Sequence, residues 1–169
     1  YDSVKSWVVR GDKIGTVSAA ELASFPGNAD SSALRGVFGV DLKVGGTKVP
    51  AELKLAFRKG FAGQFANVYK LNGGVLEFQR CVKVGADATA VIPGADAAGE
   101  YVVMVCEFSD VPGDADNDGA LSALDASAVL KEAVGMAKSA NAAVCDFNGD
   151  GEVNALDAAA VLKAVVGIR

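Results

Sequence analysis

Histidine is absent from the 169 residues. That removes every histidine-based catalytic triad and every metal site built on imidazole. Aromatic residues make up only 7%, and three cysteines are too few, and odd in number, for a disulfide scaffold. No apolar run approaches the roughly 18 residues that a membrane-spanning helix needs. An excess of positive charge is also missing. Sixteen Lys and Arg against 21 Asp and Glu leave a net charge of -5, whereas a protein that binds nucleic-acid backbone carries the opposite balance. The chain starts Tyr1-Asp2-Ser3 without Met or a signal peptide, and reads as a processed product or a piece of a longer protein. Small and apolar residues are abundant: 20 Gly and 51% hydrophobic residues suit folded structure, at a length for one domain or two small ones.

Charge divides the chain. Residues 114–169 hold nine acidic and four basic residues, which accounts for the whole net charge and leaves residues 1–113 balanced at twelve of each. Texture changes at the same place. Residues 37–108 carry Val, Phe, Tyr and Thr in short runs broken by glycine pairs. Residues 120–167 carry Ala, Leu, Val and Lys at helical spacing. Ser109-Asp110-Val111-Pro112-Gly113 is a turn-rich connector, short enough that the two parts are expected to pack together. Domain boundaries are therefore expected at 1–110 and 111–169.

The first part reads as strands. Val37–Val44 is followed by a hairpin signal at Gly45-Gly46, and Val49–Phe57 places Val49, Leu53, Leu55 and Phe57 on one parity. Asn67–Leu71 faces Val75–Phe78 across Asn72-Gly73-Gly74. Phe78, Val82 and Val84 are expected inside, with Glu77, Gln79 and Lys83 in water. Ala88–Ile92 and Tyr101–Phe108 add two strands. The expected fold is an antiparallel β-sandwich. Before it, Ser18–Glu21 has capping-box spacing for at most a short helix. Cys81 and Cys106 fall on strands where a bridge is open, whereas Cys145 and Met136 are expected to fill a small helical core.

No catalytic motif stands out. Glu52, Glu77, Glu100 and Glu107 are scattered over strands. Two facing carboxylates would suffice for glycoside hydrolysis, but solvated strand faces explain them more simply. Trp7, Tyr69 and Tyr101 are candidates for a sugar-stacking platform, against the simpler reading that they are core. No catalytic residue is assigned, and the chain is expected not to be an enzyme. The rival functions are a carbohydrate-binding module or a small glycoside hydrolase.

Residues 114–135 (DADNDGALSALDASAVLKEAVG) and 146–167 (DFNGDGEVNALDAAAVLKAVVG) are identical at 13 of 22 positions, at an offset of 32. This is an internal duplication. Oxygen-bearing side chains stand at loop positions 1, 3 and 5: Asp114, Asp116 and Asp118, then Asp146, Asn148 and Asp150. Gly119 and Gly151 stand at position 6, where the chain turns sharply. Ala120 and Glu152 at position 7 offer a backbone carbonyl. Ser122 and Asn154 at position 9 offer a ligand or hold a water. Asp125 and Asp157 close each loop at position 12. Hard oxygen donors in this spacing suit two Ca²⁺ ions, whereas Mg²⁺ requires a tighter octahedron and zinc requires nitrogen or sulfur. The usual EF-hand has Glu at position 12. Asp is one methylene shorter, so helix and loop must approach closely. Helices are expected over Ala123–Val134 and Ala155–Val166, with Leu121 and Val153 free to form a short two-stranded contact. Neither loop has an unmistakable entering helix, so the expected all-α module is a duplicated loop–helix unit.

The duplicated D-x-[DN]-x-D-G loops, the Asp at position 12 and the A-V-L-K-x-x-x-G helices resemble the dockerin family over residues 114–169. The resemblance implies a calcium-dependent module that binds a cohesin on a scaffoldin or cell-surface anchoring protein, in an extracellular, cellulosome-type polysaccharide-degrading complex. It also implies partner contacts at Ala123, Leu124, Leu130 and Lys131, and at Ala155, Leu156, Leu162 and Lys163. Many dockerins carry Ser or Thr at the first pair, so Ala-Leu here implies a different specificity group. Val68–Phe78 (VYKLNGGVLEF) and Gly99–Val105 (GEYVVMV) more faintly resemble the immunoglobulin-like X-modules that precede some dockerins.

Overall fold

The computed structural model describes residues 7–10, 12–13, 34–42, 52–57, 59–72, 75–93 and 99–168. Among the described residues eight strands precede two helices: β1 (Trp7–Arg10), β2 (Asp12–Lys13), β3 (Leu34–Leu42), β4 (Glu52–Ala56), β5 (Phe65–Asn72), β6 (Val75–Lys83), β7 (Thr89–Pro93), β8 (Gly99–Cys106), α1 (Ala123–Ala133) and α2 (Ala155–Val165). Short 3₁₀ turns occupy Lys59–Phe61 and Ala142–Val144. The capping-box tetrad Ser18–Glu21 and the Gly45-Gly46 pair lie outside the described residues.

The strands form a three-stranded sheet, β1-β4-β7, and a five-stranded sheet, β2-β3-β8-β5-β6. The β5–β6 hairpin has the expected register, with Asn72 opposite Val75. The antiparallel, immunoglobulin-like β-sandwich is corrected here. β1 runs parallel to β4, with Trp7 opposite Leu53 and Arg10 opposite Ala56, so the smaller sheet is mixed. β3 and β4 do not form a hairpin, because β3 pairs with β2 and β8 in the other sheet. Parallel pairing requires a crossover and carries no tight-turn signature, so local turn residues do not reveal it. A glycine pair marks a change of direction without fixing which edge the next strand joins.

Leu55, Ala66, Val68, Val84, Ala90, Ile92, Tyr101, Val103 and Val105 form the main β core, drawn from both sheets. Phe78 and Val82 are half-buried and Val84 is buried, while Glu77, Gln79 and Lys83 are exposed, as strand alternation predicts. β5 and β8 are buried on both faces. Ala66 and Val68 enter the main core, whereas Phe65, Asn67 and Tyr69 point the other way and are also buried. Tyr69 and Met104 nucleate a second cluster there with Leu76, Phe78 and Val102.

None of the three cysteines forms a disulfide. Cys81 lies on β6 opposite Asn67, and Cys106 lies on β8 opposite Phe65, so β5 runs between them. Two strand spacings make roughly 9–10 Å, beyond the Cα separation that a disulfide spans. Burial pushes the Cys81 thiol up to about 12. Tyr69 and Tyr101 are buried, so neither presents a ring for sugar stacking. Among the described residues no helix is long and apolar enough to cross a membrane.

The small helical core consists of Ala115, Val129, Cys145 and Ala158, flanked by Ala128 and Val153. Cys145 is there as expected, but Met136 is 78% exposed. Met136 follows the end of α1, where its N–H bonds the Lys131 carbonyl at 2.8 Å and closes a Schellman-type cap. That cap turns the chain away from the core. Leu121 and Val153 form no bridge.

Candidate functional site

The helices begin inside the loops because each loop supplies its own cap. Ser122 and Asn154 are the N-caps, and their side chains accept the Leu124 and Leu156 N–H groups at 3.1 and 2.7 Å. Asp125 and Asp157 complete capping boxes from the third helical position. The same carboxylates reach back across the loop. Asp125 accepts the Ser122 N–H at 2.7 Å and the Asp116 N–H at 3.1 Å. Asp157 accepts the Asn154 N–H at 2.9 Å and the Asn148 N–H at 3.0 Å. Both aspartates are fully buried. The short side chain at position 12 is thus matched by a helix start drawn close to the loop.

Position 1 is wired the same way in both copies. Asp114 accepts the Asp118 and Gly119 N–H groups at 3.0 and 2.8 Å. Asp146 accepts the Asp150 and Gly151 N–H groups at 3.1 and 2.9 Å. Position 5 then accepts from position 7, Ala120 to Asp118 and Glu152 to Asp150, each at 2.9 Å. Gly119 and Gly151 adopt φ of 95° and 90°, a conformation that side-chain-bearing residues rarely hold. This explains the glycine at position 6 of each repeat.

The donor set fits a calcium ion. Carboxylate oxygens of Asp114, Asp116 and Asp118 lie within 4.8 Å of one another. Two oxygens on opposite sides of one Ca²⁺, each at about 2.3–2.6 Å, are roughly 5 Å apart, so the three fit one coordination sphere. Burial raises the Asp116 carboxyl above its usual range, and the charges of Asp125, Asp118 and Asp114 raise it further. Asp114 is raised first by burial, partly offset by the Ser109 hydroxyl and the Gly119 and Asp118 N–H groups. A cation relieves this repulsion. In the second loop burial again pushes upward at Asp157, but the N–H groups of Asn154, Asn148 and Phe147 outweigh it and hold the carboxyl low. Ala120 and Glu152 are exposed at position 7, where the backbone carbonyl is the oxygen available to an ion. Ser122 and Asn154 already cap their helices, which favours contact through water.

The eight expected partner contacts are all exposed: Ala123, Leu124, Leu130, Lys131, Ala155, Leu156, Leu162 and Lys163. The copies match closely. Leu124 and Leu156 are 68% and 66% exposed, and Leu130 and Leu162 are 44% and 46% exposed. Val134, Met136, Val166 and Ile168 extend the apolar surface beyond the helix ends.

The sequence reading missed the residues that join this site to the sheet. Asn67 donates to the Phe108 carbonyl and accepts the Asp110 N–H, both at 2.9 Å. Tyr69 donates to Asp110 at 2.5 Å. Asn141 donates to the Ser109 carbonyl at 2.8 Å. Asn117, at position 4 of the first loop, accepts the Ser109 N–H at 2.9 Å and donates to the Glu107 carbonyl at 3.0 Å. The only sequence signal was polar residues at positions where a strand face or loop could have been solvated. The candidate glycosidase carboxylates do not stand out: Glu77 and Glu107 are exposed, and the Glu52 and Glu100 side chains lie outside the described residues.

No curated protein and no solved structure matches the chain. The segment containing both loops and both helices does match a family. Residues 112–166 match the dockerin type I domain, a family of calcium-binding interaction modules whose partner is a cohesin.

Proposed function

We propose that the chain is a non-catalytic adaptor that attaches its parent protein to a cohesin on a scaffoldin or cell-surface anchoring protein, in an extracellular, cellulosome-type complex. Two Ca²⁺ ions bind, one per loop. Asp114, Asp116, Asp118, the Ala120 carbonyl, Ser122 and Asp125 hold the first. Asp146, Asn148, Asp150, the Glu152 carbonyl, Asn154 and Asp157 hold the second. The β region, residues 1–110, accompanies the dockerin as a support of the X-module kind and carries no chemistry of its own.

The observation that carries this reading is the repetition of one hydrogen-bond pattern in two loops, each leading into an equally exposed helix face. Leu124 and Leu130, or Leu156 and Leu162, supply apolar anchors, and Lys131 or Lys163 pairs with acidic groups on the partner. Because the two faces are equivalent, the cohesin docks in either of two orientations. Calorimetry against cohesins of several specificity groups, in calcium and in chelator, tests the function. Binding to at least one, lost in chelator, is expected. Binding to none, or binding indifferent to calcium, refutes it.

The two orientations are tested by Leu124→Ala with Lys131→Ala, by Leu156→Ala with Lys163→Ala, and by all four together. Each double variant should lose only a statistical factor of about two, roughly 0.4 kcal/mol, and the quadruple variant should not bind. Severe loss from one double variant alone means a single fixed orientation.

A further inference from the structure

We propose that the β region clamps the first calcium loop and not the second, so that the two loops load in a fixed order, with Asn117 as the positioning residue. The proposal rests on the calcium reading above. It starts from two contacts that reach the first loop from outside and have no counterpart in the second among the described residues, together with a difference in burial.

The first contact is at loop position 4. Asn117 holds φ of 62°, and both ends of its amide are engaged by the chain leaving β8, at the Ser109 N–H and the Glu107 carbonyl. Position 4 of the second loop is Gly149, φ 75°, which has no side chain to anchor. The second contact is at position 6. A Cβ placed on Gly119 would stand 3.0 Å from the Phe65 ring, whereas one on Gly151 would meet no described residue within 4 Å. β5 therefore lies against the first loop, and no described strand lies against the corresponding turn of the second. The third difference is at position 1. Asp114 is fully buried. Asp146 is half-buried and bonds backbone N–H groups of its own loop.

Positions held before the ion arrives need not be ordered by it, so part of the conformational cost of binding is removed from the first loop. Charge acts in the same direction. Side chains at positions 1, 3, 5 and 12 of the first loop are four carboxylates; the second loop has Asn148 at position 3, which donates to Asp150 at 2.9 Å. A variant that removes the clamp while keeping the charge separates the two effects. By linkage, calcium in the first loop also strengthens the junction that braces it.

The test is a calcium titration of the whole chain followed by NMR at the Gly119 and Gly151 amides. Both amides donate to the position-1 carboxylate of their own loop, so each reports its own site. Gly119 is expected to reach its end point at a calcium concentration at least about tenfold below Gly151. Asn117→Gly, which keeps the positive φ and every carboxylate, is expected to shrink that gap by about tenfold, as the loss of two hydrogen bonds implies. Gly149→Asn supplies the side chain where no described strand lies beside the loop and is expected to leave the Gly151 midpoint within about twofold. Coincident or reversed midpoints in the unaltered chain overturn the proposal. So does an unchanged gap in Asn117→Gly, which would mean that charge alone sets the order, or a tightened second site in Gly149→Asn. Failure of the underlying calcium reading looks different: neither amide moves.

Discussion

The β region buries nine side chains in one core drawn from two sheets, including Leu55, Ile92, Tyr101 and three valines of β5 and β8. The helical region gathers four, and two of these are alanines and one a cysteine. The first region can be held by apolar burial alone. The second spends its buried positions on charge: Asp114, Asp125 and Asp157 are as inaccessible as Val129 and Val161. Buried carboxylates without a cation are costly. On the proposed calcium reading the contrast assigns the ion its role: the solvent drives folding in the β region, whereas in the helical region the cation takes over that role and the small core fixes the result.

The largest effect is expected from the residues that belong to both the cap and the proposed cation site. Asp125→Ala with Asp157→Ala removes two capping boxes, each contributing about 0.5–2 kcal/mol, together with a ligand from each loop. Far-UV circular dichroism should show the helical signal lost even in saturating calcium, with the strand signal kept. A retained helical signal would make the two regions alike.

Matched core truncations sharpen the same contrast. Val103→Ala in β8 and Val129→Ala in α1 each remove a fully buried side chain and should each cost about 2 kcal/mol in calcium. In chelator, denaturant unfolding should still register the loss at Val103. It should register none at Val129, whose surroundings are then already unfolded.

The junction comes next. Tyr69→Phe deletes the buried hydrogen bond to Asp110 and should cost about 1–3 kcal/mol by urea unfolding in calcium. A negligible cost would mean that the regions do not support one another.

The smallest effect distinguishes the repeats. Glu132 accepts the Ser139 N–H at 2.9 Å and also bonds the Ser139 hydroxyl, pinning α1 to the linker, where the second repeat has Ala164. The Ser139 hydroxyl, aided by its N–H, holds the Glu132 carboxyl below the usual range despite burial. A lowered folded-state value means that the stabilisation is present above the ordinary glutamate range and is lost as pH falls through the lowered value. Glu132→Ala should cost about 0.5–1.5 kcal/mol at neutral pH, and the difference from the unaltered chain should vanish in acid.

The helical region was the more legible of the two. Thirteen identities in 22 positions give each residue a second copy to be read against, and calcium chemistry ties residue type to loop position. Asp125 and Asp157 were expected as ligands from their loop position, whereas their task as capping-box partners emerged only from the folded geometry. Helix ends were placed within a residue because glycine marks each stop. The β region offered only local signals. The Asn72–Val75 turn was readable because its partners are adjacent in sequence. The parallel β1–β4 pair was not, because its partners are separated by more than forty residues. Met136 was misplaced because an apolar side chain between two helices looks like core until the cap at Lys131 turns it outward. Asn67, Asn117 and Asn141 were invisible as a junction because asparagine in a strand or loop usually faces water.

Calcium is expected to fold the helical region while the β region stands without it. Amide hydrogen exchange on the intact chain, resolved by residue in calcium and in chelator, tests this most directly. In chelator the Val129 and Val161 amides should exchange at nearly the rate of an unfolded chain, while Val68 and Val103 remain protected. Equal protection of Val129 and Val161 in both conditions would contradict it.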